Sequence, residues 1–184
     1  MPTACVTGAN RGLGLALATL LSQSGYTVFA ACRSPSEALA GVAGVHVVPG
    51  VDVSTQRGVD ALLAALHGVS VDLLVNNAGL LRQQGAVGSD AWCAAAAEEY
   101  GVNALGPLRV TVALNDGGHL GEGAKVVMIT SVAGSLNTMA NPRASEGAWH
   151  RVCTRCHRAA GLPRSLHDFS VRRFGAPNPV HASC

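Results

Sequence analysis

The stretch Thr7-Gly8-Ala9-Asn10-Arg11-Gly12-Leu13-Gly14 decides the reading of this chain, because it lies directly between a short Val-containing run at residues 4–7 and an apolar, helix-like stretch at 13–24. Gly8 permits a sharp turn out of the strand. Gly12 lets backbone approach a pyrophosphate, and Gly14 lets the following helix pack closely on the strand, with its N-terminus facing the phosphates. A glycine triplet is weak evidence by itself, since glycine is common in turns. Its place here, with a strand before it and a helix after it, is what supports the reading.

Working outward, further short apolar runs rich in Val or Ala occur at 27–31, 45–48, 71–75 and 125–130, each long enough for one buried strand. Helix-like stretches at 56–66 and from 89 to about 114, the second expected to hold two helices, alternate with them. Strands alternating with helices predict right-handed βαβ units and therefore an α/β, doubly wound Rossmann-type parallel sheet, here of five strands and incomplete at its C-terminal side. The pattern ends near His150, so residues 1–150 are expected to form the nucleotide-binding domain. Residues 151–184, rich in Arg, Cys and His and without apolar periodicity, are expected to form an irregular or disordered tail.

At 184 residues the chain suits one domain. No apolar run reaches the eighteen or so residues that a spanning helix requires, and a strand-like start at Thr3 leaves no room for a leader, so no membrane association and a cytoplasmic location are expected. Of the six cysteines, Cys5, Cys32 and Cys93 fall in apolar stretches and read as buried free thiols. Residues 151–184 hold 6 Arg and one acid, yet signatures of DNA or RNA binding are lacking, so no nucleic-acid partner is expected. Cys153-Thr154-Arg155-Cys156-His157 has the spacing of a haem attachment motif or half a zinc knuckle. His167, His181 and Cys184 supply no second ligand pair, and no metal site is expected.

The Gly-x-x-x-Gly-x-Gly spacing, together with Asn76-Asn77-Ala78-Gly79 after the run at 71–75, resembles the short-chain dehydrogenase/reductase family. Asn103 in Val102-Asn103-Ala104-Leu105-Gly106-Pro107 and Ser131 after residues 125–130 match the family's active-site Asn and Ser positions, and residues 73–79, 103–109 and 131–135 are most similar to its small C-factor-like and sniffer-like carbonyl reductases. The resemblance implies a carbonyl or alcohol oxidoreductase acting on a small molecule. Ser131 would stabilise the substrate oxygen, and Asn103 would hold a water or backbone carbonyl in the proton path. It also implies a cofactor site made of Gly8, Asn10, Arg11, Gly12, Leu13, Gly14, Arg33, Asp52, Val53, Asn77, Ala78 and Gly79. Asp52-Val53 resembles the adenine-contacting pair, with an ordinary solvated loop aspartate as the alternative. Where NAD-preferring members carry an acid after the second strand, this chain reads Ala31-Cys32-Arg33-Ser34, and with Arg11 this points to NADP. The family dimerises through the helices that would hold Asn103 and its catalytic Tyr-x-x-x-Lys pair, so a homodimer is implied, with the second helix altered.

That pair is where the pattern fails. Pro142 stands at the Tyr position and Glu146 at the Lys position. In the family, Tyr protonates the carbonyl oxygen and Lys lowers the Tyr pKa. The only tyrosines are Tyr26 and Tyr100 and the only lysine is Lys125; Tyr100, one helical step from Asn103, reads as a core contact, and nothing places His150 or His157 beside Ser131. The sequence thus leaves three readings open: an impaired NADP-dependent oxidoreductase, a non-catalytic nucleotide- or partner-binding protein, and a product whose end was altered by truncation, frame change or splicing. The third is favoured by the composition of the tail and by the missing last two strands of the family.

Overall fold

A computed structural model of the chain describes residues 1–82 and 85–130 and the backbone of residues 170–173. Strands and helices alternate along them: β1 (Thr3–Thr7), α1 (Gly12–Gln23), β2 (Thr27–Ala31), α2 (Glu37–Ala40), β3 (Val45–Val48), α3 (Gln56–Ala65) and β4 (Val71–Asn76). Then follow α4 (Asp90–Tyr100), a π turn (Gly101–Leu105), α5 (Gly106–Asp116), β5 (Leu120–Met128) and β6 (Ser170–Arg173). The sheet order is β3-β2-β1-β4-β5-β6, with β1 to β5 all parallel. The chain reverses direction across the sheet between β1 and β4, and a crevice opens there beyond the carboxyl ends of the strands. None of the described helices is long and apolar enough to cross a membrane.

Two cores flank the sheet and differ in grain. One packs Leu62 and Leu66, from α3 and its C-terminal end, and Val110 and Leu114 of α5 on Val71 and Leu74 of β4 and Val126 of β5. The other sets small side chains, Ala18 of α1, Ala30 of β2 and Ala9 of the glycine loop, around Val6, Val28 and Val75, with the larger Leu39 of α2 and leucines of α1 packed about them. Gly14 explains the second. A Cβ there would overlap the Gly8 carbonyl oxygen and lie 2.5 Å from Asn77 Nδ2, so α1 can sit this low on the sheet only with glycine at that point.

The five parallel strands and the two helices between 89 and 114 are as the sequence predicted, and three elements differ. Helix α2 was not expected, because four residues are too few to show a helical period; Ser36 starts it by accepting from Leu39 N at 3.2 Å. Strand β5 begins at Leu120 rather than 125 and ends at Met128 rather than 130. Its register slips between the pairs Val71↔Leu120 and Leu73↔Lys125, and Gly121 and Gly123 (φ +81°) in the slipped part hide the strand in the sequence. The four residues of β6 add an antiparallel edge to β5, in a tail to which the sequence reading gave no element. A single valine in Ser-Val-Arg-Arg carries no alternation to read. The other tail residues, and the boundary expected near 150, lie outside the described residues. Cys5 and Cys32 are buried free thiols as expected, with burial pushing the Cys5 thiol up to about 12, whereas Cys93 is exposed, α4 turning it outward.

Leu74 lies wholly buried in β4, whereas Leu20 on α1 is 58% exposed. Urea unfolding should therefore show Leu74→Ala destabilised by about 3 kcal/mol and Leu20→Ala within about 0.5 kcal/mol of the parent.

Candidate functional site: a cleft at the sheet crossover

Thr7, the last residue of β1, is buried, and its Oγ1 accepts from Asn77 N and from Ala78 N, each at 3.0 Å, while facing the Val75 carbonyl oxygen at 3.5 Å. Asn77 returns the contact: its Nδ2 donates to the carbonyl oxygens of Thr7 at 2.9 Å and Gly8 at 3.2 Å. The two motifs, about seventy residues apart in sequence, are thereby one structure. Gly8 (φ +66°) completes it, since a Cβ at that position would stand 2.7 Å from Ala78 Cα.

Above this junction lies a cleft of about 350 Å³ lined by Gly8, Asn10, Arg11, Gly12, Leu13 and Gly14 from the glycine loop and by Cys32 and Arg33 after β2. Val51, Asp52 and Val53 after β3, residues Asn77 to Leu80 after β4, and Val102 of the π turn close the lining. Every residue that the sequence assigned to nucleotide is in this lining. Sequence reasoning missed Cys32, Val51, Leu80 and Val102, none of which carries a motif signal of its own.

The floor of the cleft is electropositive. Helices α2, α3 and α4 each begin with a hydroxyl, from Ser36, Thr55 and Ser89, that accepts a backbone N–H three residues on. Helix α1 begins at Arg11, which offers no such acceptor, and its first turn contains no acid. Its leading N–H groups are left for a partner in the cleft. Gly12 (φ +55°) has nothing within 4 Å of where a Cβ would be, so the space beside it is open. Ser36 Oγ donates to the Asn10 carbonyl oxygen at 2.6 Å and steadies the loop from α2.

One wall is the turn after β3. Ser54 donates to Asp52 Oδ1 twice, from Oγ at 2.6 Å and from its backbone N at 2.9 Å. These bonds, helped by the positive charge of Arg33, hold the Asp52 carboxyl below its ordinary value against a partly opposing desolvation. Asp52 thus sits in the loop after β3, in the cleft lining, with its carboxylate held by Ser54. A Cβ on Gly58 would run into Asp52 backbone, so glycine lets α3 start tight under this turn.

The opposite wall follows Gly79. Asn103 faces Leu80 as an amide faces a peptide, with Leu80 N donating to Oδ1 at 2.8 Å and Nδ2 donating to the Leu80 carbonyl oxygen at 2.7 Å. Four residues earlier the buried Glu99 accepts from Arg82 N at 2.5 Å, and the Arg82 guanidinium pairs with Glu98 at 2.7 Å. Asn103 thus stands behind Leu80, and neither it nor Tyr100 is among the lining residues. Ser131, Pro142, Glu146, His150 and His157 lie outside the described residues.

The Asp52–Ser54 contact generates a pH-dependent expectation. A carboxyl whose folded pKa is depressed stabilises the fold above its ordinary value, and that contribution is lost as pH falls through the depressed one. Ser54→Ala should be about 1 kcal/mol less stable than the parent at pH 7 in urea unfolding. The gap between the two should close as the pH is stepped down through the acid range below the ordinary carboxylate value.

Comparison with known proteins places this geometry. The short chain dehydrogenase family model matches residues 2–152. A 1-hydroxy-2-glutathionyl-2-methyl-3-butene dehydrogenase of Rhodococcus sp. (strain AD45) is 39% identical over 140 residues, covering 74% of this chain and 59% of that protein. The 3-oxoacyl-acyl-carrier-protein reductase MabA of Mycobacterium tuberculosis is 33% identical over 150 residues, 77% of this chain and 56% of its own length. The chain thus spans somewhat under three fifths of these curated relatives. Among solved structures, a carbonyl reductase from Pseudomonas aeruginosa PAO1 in complex with NADP superposes with a TM-score of 0.72 at 27% identity, covering 87% of this chain and 74% of that one. With the glycine loop, the Asn-Asn-Ala-Gly segment and the crossover cleft all at the places the family model spans, the chain belongs to the short chain dehydrogenase family.

Proposed function

We propose that this chain is the nucleotide-binding body of an NADP-dependent oxidoreductase for small carbonyl or alcohol substrates, and that it binds NADP(H) while turning over little. The observation that carries the reading is the uncapped start of α1, opening into a cleft that Arg11 and Arg33 also line. Leading N–H groups and an open Gly12 suit a pyrophosphate, and two guanidinium groups in a lining where β2 ends without an acid suit a ribose 2′-phosphate. The NADP complex of the Pseudomonas reductase supports the same cofactor. Asp52 and Val53 would face the adenine, and Asn77, Ala78 and Gly79 the nicotinamide half. Bound, the nicotinamide supplies or accepts the hydride.

Around it, Ser131 would hold the substrate oxygen. Asn103 would fix the cleft wall at Leu80 and, through its helix, the proton path. What the chain lacks is a proton donor, since Pro142 and Glu146 replace Tyr and Lys. A carboxylate in the place of the family's Lys would oppose the build-up of negative charge on oxygen, and loss of one well-aimed electrostatic donor costs about 10²–10³ in rate. The same two residues favour a second reading, a non-catalytic nucleotide-binding protein. Exposed Leu108 and Val112 on α5 support the homodimer that the resemblance implies.

Titration should show NADPH binding more tightly than NADH, and Arg33→Asp should abolish or reverse the preference; equal affinities in the parent would sink the cofactor assignment. In single-turnover NADPH oxidation with a generous aldehyde or quinone, the parent should run barely above background. The double variant Pro142→Tyr with Glu146→Lys should be faster. Robust turnover by the parent would show that another group donates the proton.

A further inference from the structure

Arg109 stands on α5, is not among the residues lining the cleft, and has no part in the reading above. Its Nη1 nevertheless donates to the Ser54 carbonyl oxygen at 2.9 Å. That carbonyl has no place in the α3 ladder, whose first acceptor is Thr55, one residue later. Arg109 supplies it with a charge-assisted partner. The gripped residue is the one that donates twice to Asp52 Oδ1, so the chain of contacts runs from Arg109 through Ser54 to a carboxylate in the cleft lining.

The grip has a second point. Gly106, three residues earlier on α5, faces Val53 so closely that a Cβ would stand 2.7 Å from Val53 Cγ2. Helix α5 therefore carries Val53 and Ser54 directly and Asp52 through Ser54. Position 109 lies one helical step from Gly106, on the same side of the helix. Mobile, unsupported turns make poor ligand walls, because ordering them must be driven by binding.

We propose that Arg109 is a positioning residue for the nucleotide. Through Ser54 it fixes the Asp52 carboxylate and Val53, and so the adenosine side of the cleft, without touching the ligand. The proposal rests on the cleft holding NADP(H), and its test separates the two. Adenosine 2′,5′-bisphosphate serves as the probe for this end of the cleft, alongside NADPH, against the parent chain, Arg109→Met, Arg109→Lys, Asp52→Asn, and Arg109→Met combined with Asp52→Asn.

Arg109→Met should weaken both ligands by about tenfold, the size of one charge-assisted hydrogen bond. The lysine variant should recover part of the loss, keeping a donor but not the fork. The double variant should be no worse than the poorer single one, because the carboxylate charge that Arg109 positions is already gone in Asp52→Asn. Additive losses in the double variant, or unchanged binding in Arg109→Met, would overturn the positioning role while leaving the nucleotide reading intact. A parent chain that binds neither ligand would remove the nucleotide reading and the proposal with it. Should the methionine variant fail to fold, the lysine variant decides alone: a partial loss in both ligands supports the role, and parental affinity refutes it.

Discussion

The hydroxyl of Thr7 is the point from which the rest of the cleft is hung. It sits on the last residue of the central strand, accepts two neighbouring backbone N–H groups from the segment after β4, and does so out of solvent. Without it those part-buried donors would lose their partner, each at a cost of about 1 kcal/mol. The glycine loop and the Asn-Asn-Ala-Gly segment need one another for this reason. The first provides the oxygen, the second the N–H groups and the Asn77 amide that closes back on Gly8.

A second organising element is the run from α4 through the π turn to α5. One side of it holds the segment after Gly79, by Glu99 at Arg82 and Asn103 at Leu80. Further along, Gly106 and Arg109 hold the turn after β3. The π turn Gly101–Leu105 separates the two sets of contacts and brings Val102 into the lining between them. An extra residue in a helical turn is costly and is commonly found where a site requires it. Here it lets one continuous helical unit serve both sides of a single cleft.

Most of this was legible in the sequence where local chemistry speaks. The parallel strands announce themselves as short apolar runs, and the glycine loop and Asn-Asn-Ala-Gly name their own residues, most of which line the cleft. Leu80 and Val102 are there only because distant parts of the chain fold over one another, and nothing about an isolated leucine or valine tells that. Arg109 reads as one more helix-surface arginine until Ser54 is seen across from it. Glu99, a carboxylate in an alanine-rich helix, reads as solvated and is buried. Strand β5 was misjudged at its start for the opposite reason: its glycines speak of a turn, and the register slip against β4 turns them to use within the sheet.

The unequal grain of the two cores implies that this protein tolerates change differently on its two faces. On the face of α1, where alanines and glycines let the helix lie against the sheet, added bulk is the danger, since Ala18 and Ala30 are fully buried and a larger side chain there overpacks the core. On the face of α3 and α5, where leucines fill a thicker layer, the danger is removal, and a shortened Leu62 or Leu114 leaves a void its neighbours close only in part. Sequence drift in this chain is accordingly steered in opposite directions on either side of one sheet: under α1 it is held to small residues at Ala9, Ala18 and Ala30, and under α3 and α5 to large ones at Leu62, Leu66 and Leu114.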